Sequence, residues 1–326
     1  MTVLVTGAAG FIGFNTSTAL LARGERVIGV DDLNDYYSVS LKEARLAQLQ
    51  RHADFTFQRF DLATRGAFPN LLKEHPDIDR VIHLAAQAGV RYSLINPHAY
   101  ITANILGHLE VLEACRNQPG LKHLVYASSS SVYGGNTKLP FAVTDRVDTP
   151  QSLYAATKKS DELMSYCYAH LYGIPSTGLR FFTVYGPWGR PDMAAWLFAE
   201  AILAGRPIRL FNRGVMQRDF TYIDDIVAGV LAALDRPPPA DAAGVRHRVY
   251  NLGNNRSEDL KRFVALLEAA LGRKALFEML PMQPGDVAAT YADISESQRD
   301  LGFEPKTTID EGIPRFIAWY RSYHGV

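Results

Sequence analysis

Apolar positions along the chain keep two rhythms. Short β-rich runs stand at 2–6, 26–30, 56–59, 80–84 and 121–127, while apolar residues recur at helical spacing up to Leu21, from 96 to 115 and from 152 to 172. Buried strands interleaved with helices predict an open α/β sheet of parallel strands. A further strand at 174–182 ends the regular part. Beyond it Pro187, Gly189, Pro191, Gly205, Pro207 and Gly214 divide the chain into pieces too short to extend such a sheet. A helix at 224–234, a surface loop at 237–241 and a strand at 249–252 follow. The pattern separates a lobe at 1–178 from a second at 179–326, with the stretch of about 219–252 able to return to the first.

The first strand feeds Gly7, Gly10 and Gly13, with Phe11 and Ile12 between the last two. Such glycines let the backbone turn tightly and let a pyrophosphate approach the N-terminus of the next helix, where free N–H groups favour negative charge. The bland alternative is a glycine-rich turn with no ligand. Asp31 tells against it: it ends the second strand 18 residues beyond Gly13, where an acid grips the adenosine ribose hydroxyls and repels a 2′-phosphate. The expected cofactor is NAD rather than NADP, with Asp32 and Asn34 beside the adenosine. The fourth strand ends at Leu84, beside the expected cofactor, and runs into Ala85 and Ala86, small enough to allow close cofactor approach, and Arg91 follows within reach of a phosphate. His83, in the strand itself, reads as a core histidine.

The fifth apolar run ends in Ser128, Ser129, Ser130 and Ser131, at the carboxyl end of a buried strand where open α/β sheets bind ligands. Tyr154 and Lys158 lie four residues apart, on one face of the helix at 152–172. A free phenol titrates near 10, but a fixed cation beside it favours the phenolate and makes tyrosine useful for proton transfer. Two such residues meet by chance on many surface helices. The strand-end hydroxyls and the glycine turn are what raise the pair to a catalytic candidate.

Ser, then Tyr-x-x-x-Lys, after an N-terminal G-x-x-G-x-x-G, resembles the short-chain dehydrogenase/reductase superfamily, and the length of 326 resembles its extended branch of nucleotide-sugar epimerases and dehydratases. The resemblance implies a Rossmann-type doubly wound parallel sheet with a smaller mixed α/β substrate-binding lobe. It implies that Asp61 and Leu62 lie near the adenine, that Asn104 contacts the cofactor, and that Ser129 is the catalytic hydroxyl, assisted by Ser128 or Ser130. Lys158 and Tyr154 would then touch the cofactor as well. It also implies a homodimer built on the helices carrying Asn104 and Tyr154.

Within that branch four stretches resemble UDP-glucuronate 4-epimerases: Asn34-Asp35-Tyr36-Tyr37, the run 88–93, the run 180–194 and Met282-Gln283-Pro284-Gly285-Asp286-Val287. What they imply is a UDP-sugar substrate, with Arg218 on the diphosphate and Asp286 on the uridine ribose. Arg91, Ser129 and Thr183 would also line the substrate. Arg190, in the most specific of these runs, is the residue expected to read a sugar carboxylate through two parallel charge-assisted hydrogen bonds. The implied reaction is NAD-dependent 4-epimerisation of UDP-glucuronate to UDP-galacturonate through a transient 4-keto sugar. UDP-glucuronate decarboxylation and UDP-galactose 4-epimerisation stand behind it, and a catalytically silent NAD-responsive binding protein is the reading from another class. Against the last, Ser129, Tyr154 and Lys158 are all present.

Composition narrows the field further. Lys plus Arg equals Asp plus Glu at 34 each, so no overall basic field gathers nucleic acid and no polybasic run meets a membrane. No apolar run approaches the roughly 18 residues of a membrane span. With 47% hydrophobic residues the chain can bury a large core. Cys115 and Cys167 lie in helical patterns without metal-ligand spacing and read as buried free thiols. No metal site is expected, and the expected location is cytoplasmic.

Overall fold

The computed structural model describes residues 1–282 and 287–326; Asp286 and Gln283 lie outside them. β1 (Thr2–Thr6) is buried at every position. Its alternation serves both faces of a sheet, with Val3 and Val5 in one hydrophobic cluster and Leu4 in the other. α1 (Phe11–Ala22), β2 (Arg26–Asp31), α2 (Val39–Leu49), β3 (Phe55–Arg59), α3 (Ala67–Glu74) and β4 (Ile78–His83) complete the first half. A second half begins with α4 (Pro97–Tyr100), a π-helical stretch Ile101–Leu106 and α5 (Gly107–Arg116), followed by β5 (His123–Ser129), α6 (Leu153–Tyr172) and β6 (Ser176–Phe181).

The sheet has seven strands, all parallel, counting β11 (His247–Leu252) from the far end of the chain. The order β11-β6-β5-β4-β1-β2-β3 reverses between β1 and β4. Ligands bind such sheets at that switch point, outside the carboxyl ends of the strands. Residue 178 falls inside β6, so chain on both sides of it belongs to the sheet.

The helix expected unbroken at 96–115 is divided. Asn96 caps α4 by accepting from the Ala99 N–H, and the π stretch intervenes before α5. Such π stretches are rare and are found mostly at functional sites, and this one carries Asn104. Its side chain accepts from the Gln87 N–H at 2.8 Å and donates to the Gln87 carbonyl at 3.2 Å and to Thr157 Oγ1 at 2.9 Å.

Between the sheet strands β6 and β11 the chain builds the second lobe: β7 (Thr183–Tyr185), α7 (Ala194–Leu203), β8 (Pro207–Leu210), β9 (Gln217–Arg218) and β10 (Phe220–Tyr222). α8 (Ile223–Asp235) leaves that lobe and packs on α1 and β5. After β11 come β12 (Glu258–Asp259), α9 (Leu260–Leu271), β13 (Leu276–Met279), α10 (Ser295–Leu301) and α11 (Ile309–His324). The short strands pair as β10 with β7, β12 with β9 and β13 with β8. The larger hydrophobic cluster runs from β1 and α1 through Trp196 to Phe316 without a break, which holds the two lobes against each other.

One thiol differs from expectation. Cys115 is buried, and burial pushes its thiol up to about 12, but Cys167 is exposed. The reason is register: Cys167 lies four residues from both Leu163 and Leu171 on an outward stripe of α6, and both leucines are exposed. No helix among the described residues is long and apolar enough to cross a membrane.

Candidate active site

Both lobes line a cleft of about 1320 Å³ at the carboxyl ends of the strands, larger than the roughly 300–1,000 Å³ of a pocket for one small molecule. At its inner wall the chain turns from β1 into α1 through Gly7, whose φ is +71°. A Cβ on Gly7 would stand 2.8 Å from the Ala85 nitrogen, and one on Gly13 would stand 2.0 Å from the Gly7 carbonyl oxygen. Only glycine permits that approach. The helix start at Gly10 has no side-chain cap, so its N–H groups are left for an anion.

Asp31 is buried beside this turn. Its Oδ2 accepts from the Ala9 N–H at 3.1 Å and its Oδ1 from the Leu33 N–H at 2.9 Å, and burial raises its carboxyl above the ordinary range despite these bonds. Asp32 and Asn34 line the same wall and bond to each other. Phe11, Ile12, Asp61 and Leu62 also line it, as do Leu84, Ala85 and Ala86. The cradle, the uncapped helix start and the acid together fit NAD. Asn104 is not on the cleft wall: its three hydrogen bonds go to Gln87 and Thr157, so it holds the loop that lines the cleft.

At the middle of the cleft β5 ends at Ser129, whose Oγ caps the following turn by accepting from the Ser131 N–H at 3.1 Å and donates to Ser131 Oγ at 3.1 Å. Ser128 also lines the cleft, but its hydroxyl donates to Glu162 at 2.7 Å. Ser130 is half-buried on the same wall. α6 starts at Ser152, whose Oγ accepts from the Ala155 N–H at 3.1 Å, and so presents Tyr154 and Lys158 to the cleft. The Tyr154 ring meets that of Tyr100 edge-on at 6.0 Å. Lys158 is buried and donates to the Ala127 carbonyl and to Asp161, each at 3.0 Å.

On the second lobe Thr183 and Arg190 line the cleft. Arg190 donates to Asp192 through Nε at 3.0 Å and Nη2 at 2.6 Å, and Tyr36 donates to the same carboxylate at 3.0 Å. Burial would raise the Asp192 carboxyl, but Arg190 holds it below the ordinary range. Arg218 lines the outer end, where it donates to the Gln217 and Ala288 carbonyls. Arg91 is exposed, with its guanidinium 4.6 Å above the Phe211 ring, so it faces the second lobe and not the glycine turn. His83 is a core residue whose Nδ1 pairs with Thr6 at 2.8 Å, and burial lowers its pKa to about 3.

Several residues with a role in this geometry carry no signal in the sequence. Arg45 is fully buried and donates to the Ala9 carbonyl, the Tyr37 hydroxyl and the Trp188 and Gly189 carbonyls. It thereby ties the glycine turn to the loop that carries Arg190. Lys42, also buried, donates to Asn34 at 2.6 and 3.0 Å. Neither stands in a motif that the sequence singles out. Asp192 and Tyr36 stand in runs already singled out, but their partnership with Arg190 spans 154 residues on the Tyr36 side, from 36 to 190.

The family model described as "NAD dependent epimerase/dehydratase family" matches residues 3–253. The chain belongs to that family. Within it, the chain is 48% identical to a probable UDP-glucuronate 4-epimerase of Rhizobium meliloti (strain 1021), over 98% of this chain and 97% of that protein. It is also 48% identical to UDP-glucuronate 4-epimerase 4 of Arabidopsis thaliana, over 99% of this chain and 76% of that one. The structure of a UDP-glucuronic acid 4-epimerase from Bacillus cereus, in complex with UDP-glucuronic acid and NAD, superimposes with a TM-score of 0.91 at 34% identity, covering 99% of this chain and 100% of that one. The expected Rossmann-type sheet, the extended short-chain family and NAD as cofactor all agree with these matches.

Proposed function

We propose that the chain catalyses 4-epimerisation of UDP-glucuronate to UDP-galacturonate with NAD as its cofactor. The single observation that carries the reading is the convergence of Ser129, Tyr154 and Lys158 from the first lobe and Arg190 from the second on the cleft that the glycine turn also lines; the relatives named above support the choice of sugar. Bound NAD supplies reversible two-electron oxidation at C4 of the sugar. Tyr154 removes the O4 proton as C4 is oxidised, and Ser129 orients O4 by hydrogen bonding. Lys158 stands beneath Tyr154, one helical turn on, and its ammonium favours the phenolate form of the base. Once the 4-keto sugar has turned its other face, Tyr154 returns the proton to O4 and C4 is inverted. Arg190 holds the sugar carboxylate, Arg218 the diphosphate, and Thr183 lies beside the sugar.

A 4-keto glucuronate is a β-keto acid, so it loses CO₂ when its carboxylate bond lines up with the carbonyl π system. Arg190 keeps it out of that alignment. NMR of the products after incubation with UDP-glucuronate tests the assignment: UDP-galacturonate is expected. A UDP-pentose with CO₂, or turnover of UDP-glucose alone, would replace it with a decarboxylase or a galactose-type epimerase.

The protein is a homodimer in this reading. Ile101 at 42% exposure and Leu163 and Leu171 at 55% and 65% put apolar side chains outward on the π stretch and on α6, a surface that two copies can bury together. Light scattering behind a sizing column is the check, and a monomer mass at working concentration refutes it. Two unpaired cysteines accord with a cytoplasmic location.

A further inference from the structure

Lys158 has three N–H donors. One goes to the Ala127 carbonyl at 3.0 Å and one to Asp161 Oδ2 at 3.0 Å, which leaves one for the cleft. Lys158 and Asp161 form a buried ion pair, with side chains 3% and 2% exposed. Asp161 Oδ1 has no hydrogen-bond partner among the described residues, so the carboxylate is held here by the ammonium and little else. A buried carboxylate with one oxygen unanswered is costly to keep. An amide or a serine at this position would accept the same bond from Lys158 without the charge, so the charge itself calls for a reason.

We propose that Asp161 is a positioning residue for the catalytic pair: it fixes the Lys158 ammonium under Ala127 and offsets part of its charge, and so sets the pH range over which Tyr154 works as the base. The proposal rests on the epimerase reading above. The groups facing the pair are few. From α6 itself come Glu162 and Lys159, which pair at 3.3 Å, and Arg180 meets Glu162 at 2.7 Å. His108 faces the pair from α5 and His83 from β4, and burial keeps both imidazoles neutral. From β5 comes Tyr126, which burial keeps protonated. Tyr154 itself is also faced by Arg190 from the second lobe and by the Tyr100 ring; both are unchanged in the variants compared below, so a difference between wild type and variant reads the Asp161 charge. Tyr154 and Asp161 are seven residues apart, about 10 Å along the helix.

The sign follows from the charges. Lys158 favours the phenolate of Tyr154, and Asp161 weakens that effect, so removing the Asp161 charge moves the acid limb of the kcat profile to lower pH. Two charges roughly 10 Å apart at an effective dielectric of about 20 interact strongly enough for a shift of about one pH unit. Burial also raises the Asp161 carboxyl, to about 6, against the pull of Lys158. Below that pH the wild type loses the offset by itself, and its limb falls less steeply than that of a variant without the carboxylate.

The experiment compares wild type with Asp161→Asn, whose amide oxygen still accepts from Lys158, and with Asp161→Glu, which restores the charge. kcat for UDP-glucuronate is measured against pH. In parallel, the phenolate absorption of the holoenzyme near 295 nm is titrated and referenced to Tyr154→Phe. The expected result is an acid limb and a phenolate band both about one pH unit lower in Asp161→Asn, with KM little changed, and both returned toward wild type in Asp161→Glu. Asp161→Ser, smaller and still an acceptor, carries the same comparison should the Asn variant not fold. Coincident limbs and bands in wild type and the uncharged variant overturn the proposal and leave Asp161 a counter-ion for folding alone. Failure of the epimerase reading is separate: it appears as a wild type that makes no UDP-galacturonate, while the phenolate titration still decides the role of Asp161.

Discussion

The guanidinium of Arg190 is held by Asp192 through its Nε and Nη2 edge, at 3.0 and 2.6 Å. Two of its five N–H donors are thereby used, and in the role proposed for Arg190 a substrate carboxylate takes the remaining edge. Arg190 is thus not a loose loop arginine but one oriented by Asp192, which Tyr36 braces in turn at 3.0 Å.

Arg190→Ala is expected to lower affinity for UDP-glucuronate about ten- to a hundredfold, the loss of one charge-assisted contact of roughly 1.5 to 3 kcal/mol. UDP-glucose, without a carboxylate, loses much less. Asp192→Asn keeps the cation but loosens its angle, so it should raise the fraction of CO₂ released per turnover more than it raises KM. ¹³C NMR of C6-labelled substrate with both variants reads the partition. A partition and KM unchanged in Arg190→Ala would remove the carboxylate-binding role.

Tyr154→Phe removes the hydroxyl and leaves the ring against Tyr100. kcat should fall by a factor of about 10² to 10⁴, the scale of a general acid–base contribution, while substrate affinity holds. Turnover close to wild type in steady-state kinetics would mean that another group is the base.

Gly13→Ala puts a methyl carbon where only 2.0 Å separates it from the Gly7 carbonyl oxygen. The turn must shift, and the purified variant should carry little or no NAD(H) where the wild type carries it without addition. Releasing and assaying the bound nucleotide decides the point. NADP(H) in place of NAD(H) in the wild type would contradict the part given to Asp31.

Glu162 and Arg180 form a buried pair behind Ser128, with bonds of 2.7 and 2.9 Å. Burial alone would raise the Glu162 carboxyl, but Arg180, with Ser128 and Lys159, holds it below the ordinary range. A folded value below the unfolded one makes the pair's contribution present above the usual carboxylate value of about 4.3 and lost as pH falls through the lower folded value. Glu162→Gln strands a buried guanidinium and should cost about 3 to 5 kcal/mol at neutral pH. The gap in Tm from wild type should narrow below about pH 4. A gap constant from neutral pH into acid would show that the charge on Glu162 contributes nothing.

What local pattern determines, the sequence determined alone. A β-rich run, glycines at fixed offsets and an acid at the next strand end specify a dinucleotide turn, because each element is built from neighbours a few residues apart and the turn tolerates no side chain at Gly7 or Gly13. Tyr154 and Lys158 share a face because one helical turn separates them. What the sequence left undecided depends on residues that meet only after folding. β11 joins the sheet beside β6, so no cut of the chain in two yields the two lobes. The π stretch at Ile101–Leu106 answers to Gln87 and Thr157, far from it in the chain. Arg45 and Lys42 stand in no motif, and their roles arise only when the glycine turn and the Asn34 loop come to lie against them. Cys167 reads like Cys115 until the helix it sits on turns one outward and leaves the other in the core. The partner of each of these groups is a backbone carbonyl, a carboxylate or a buried face brought in by tertiary packing, and such partners have no fixed spacing to be read along a chain.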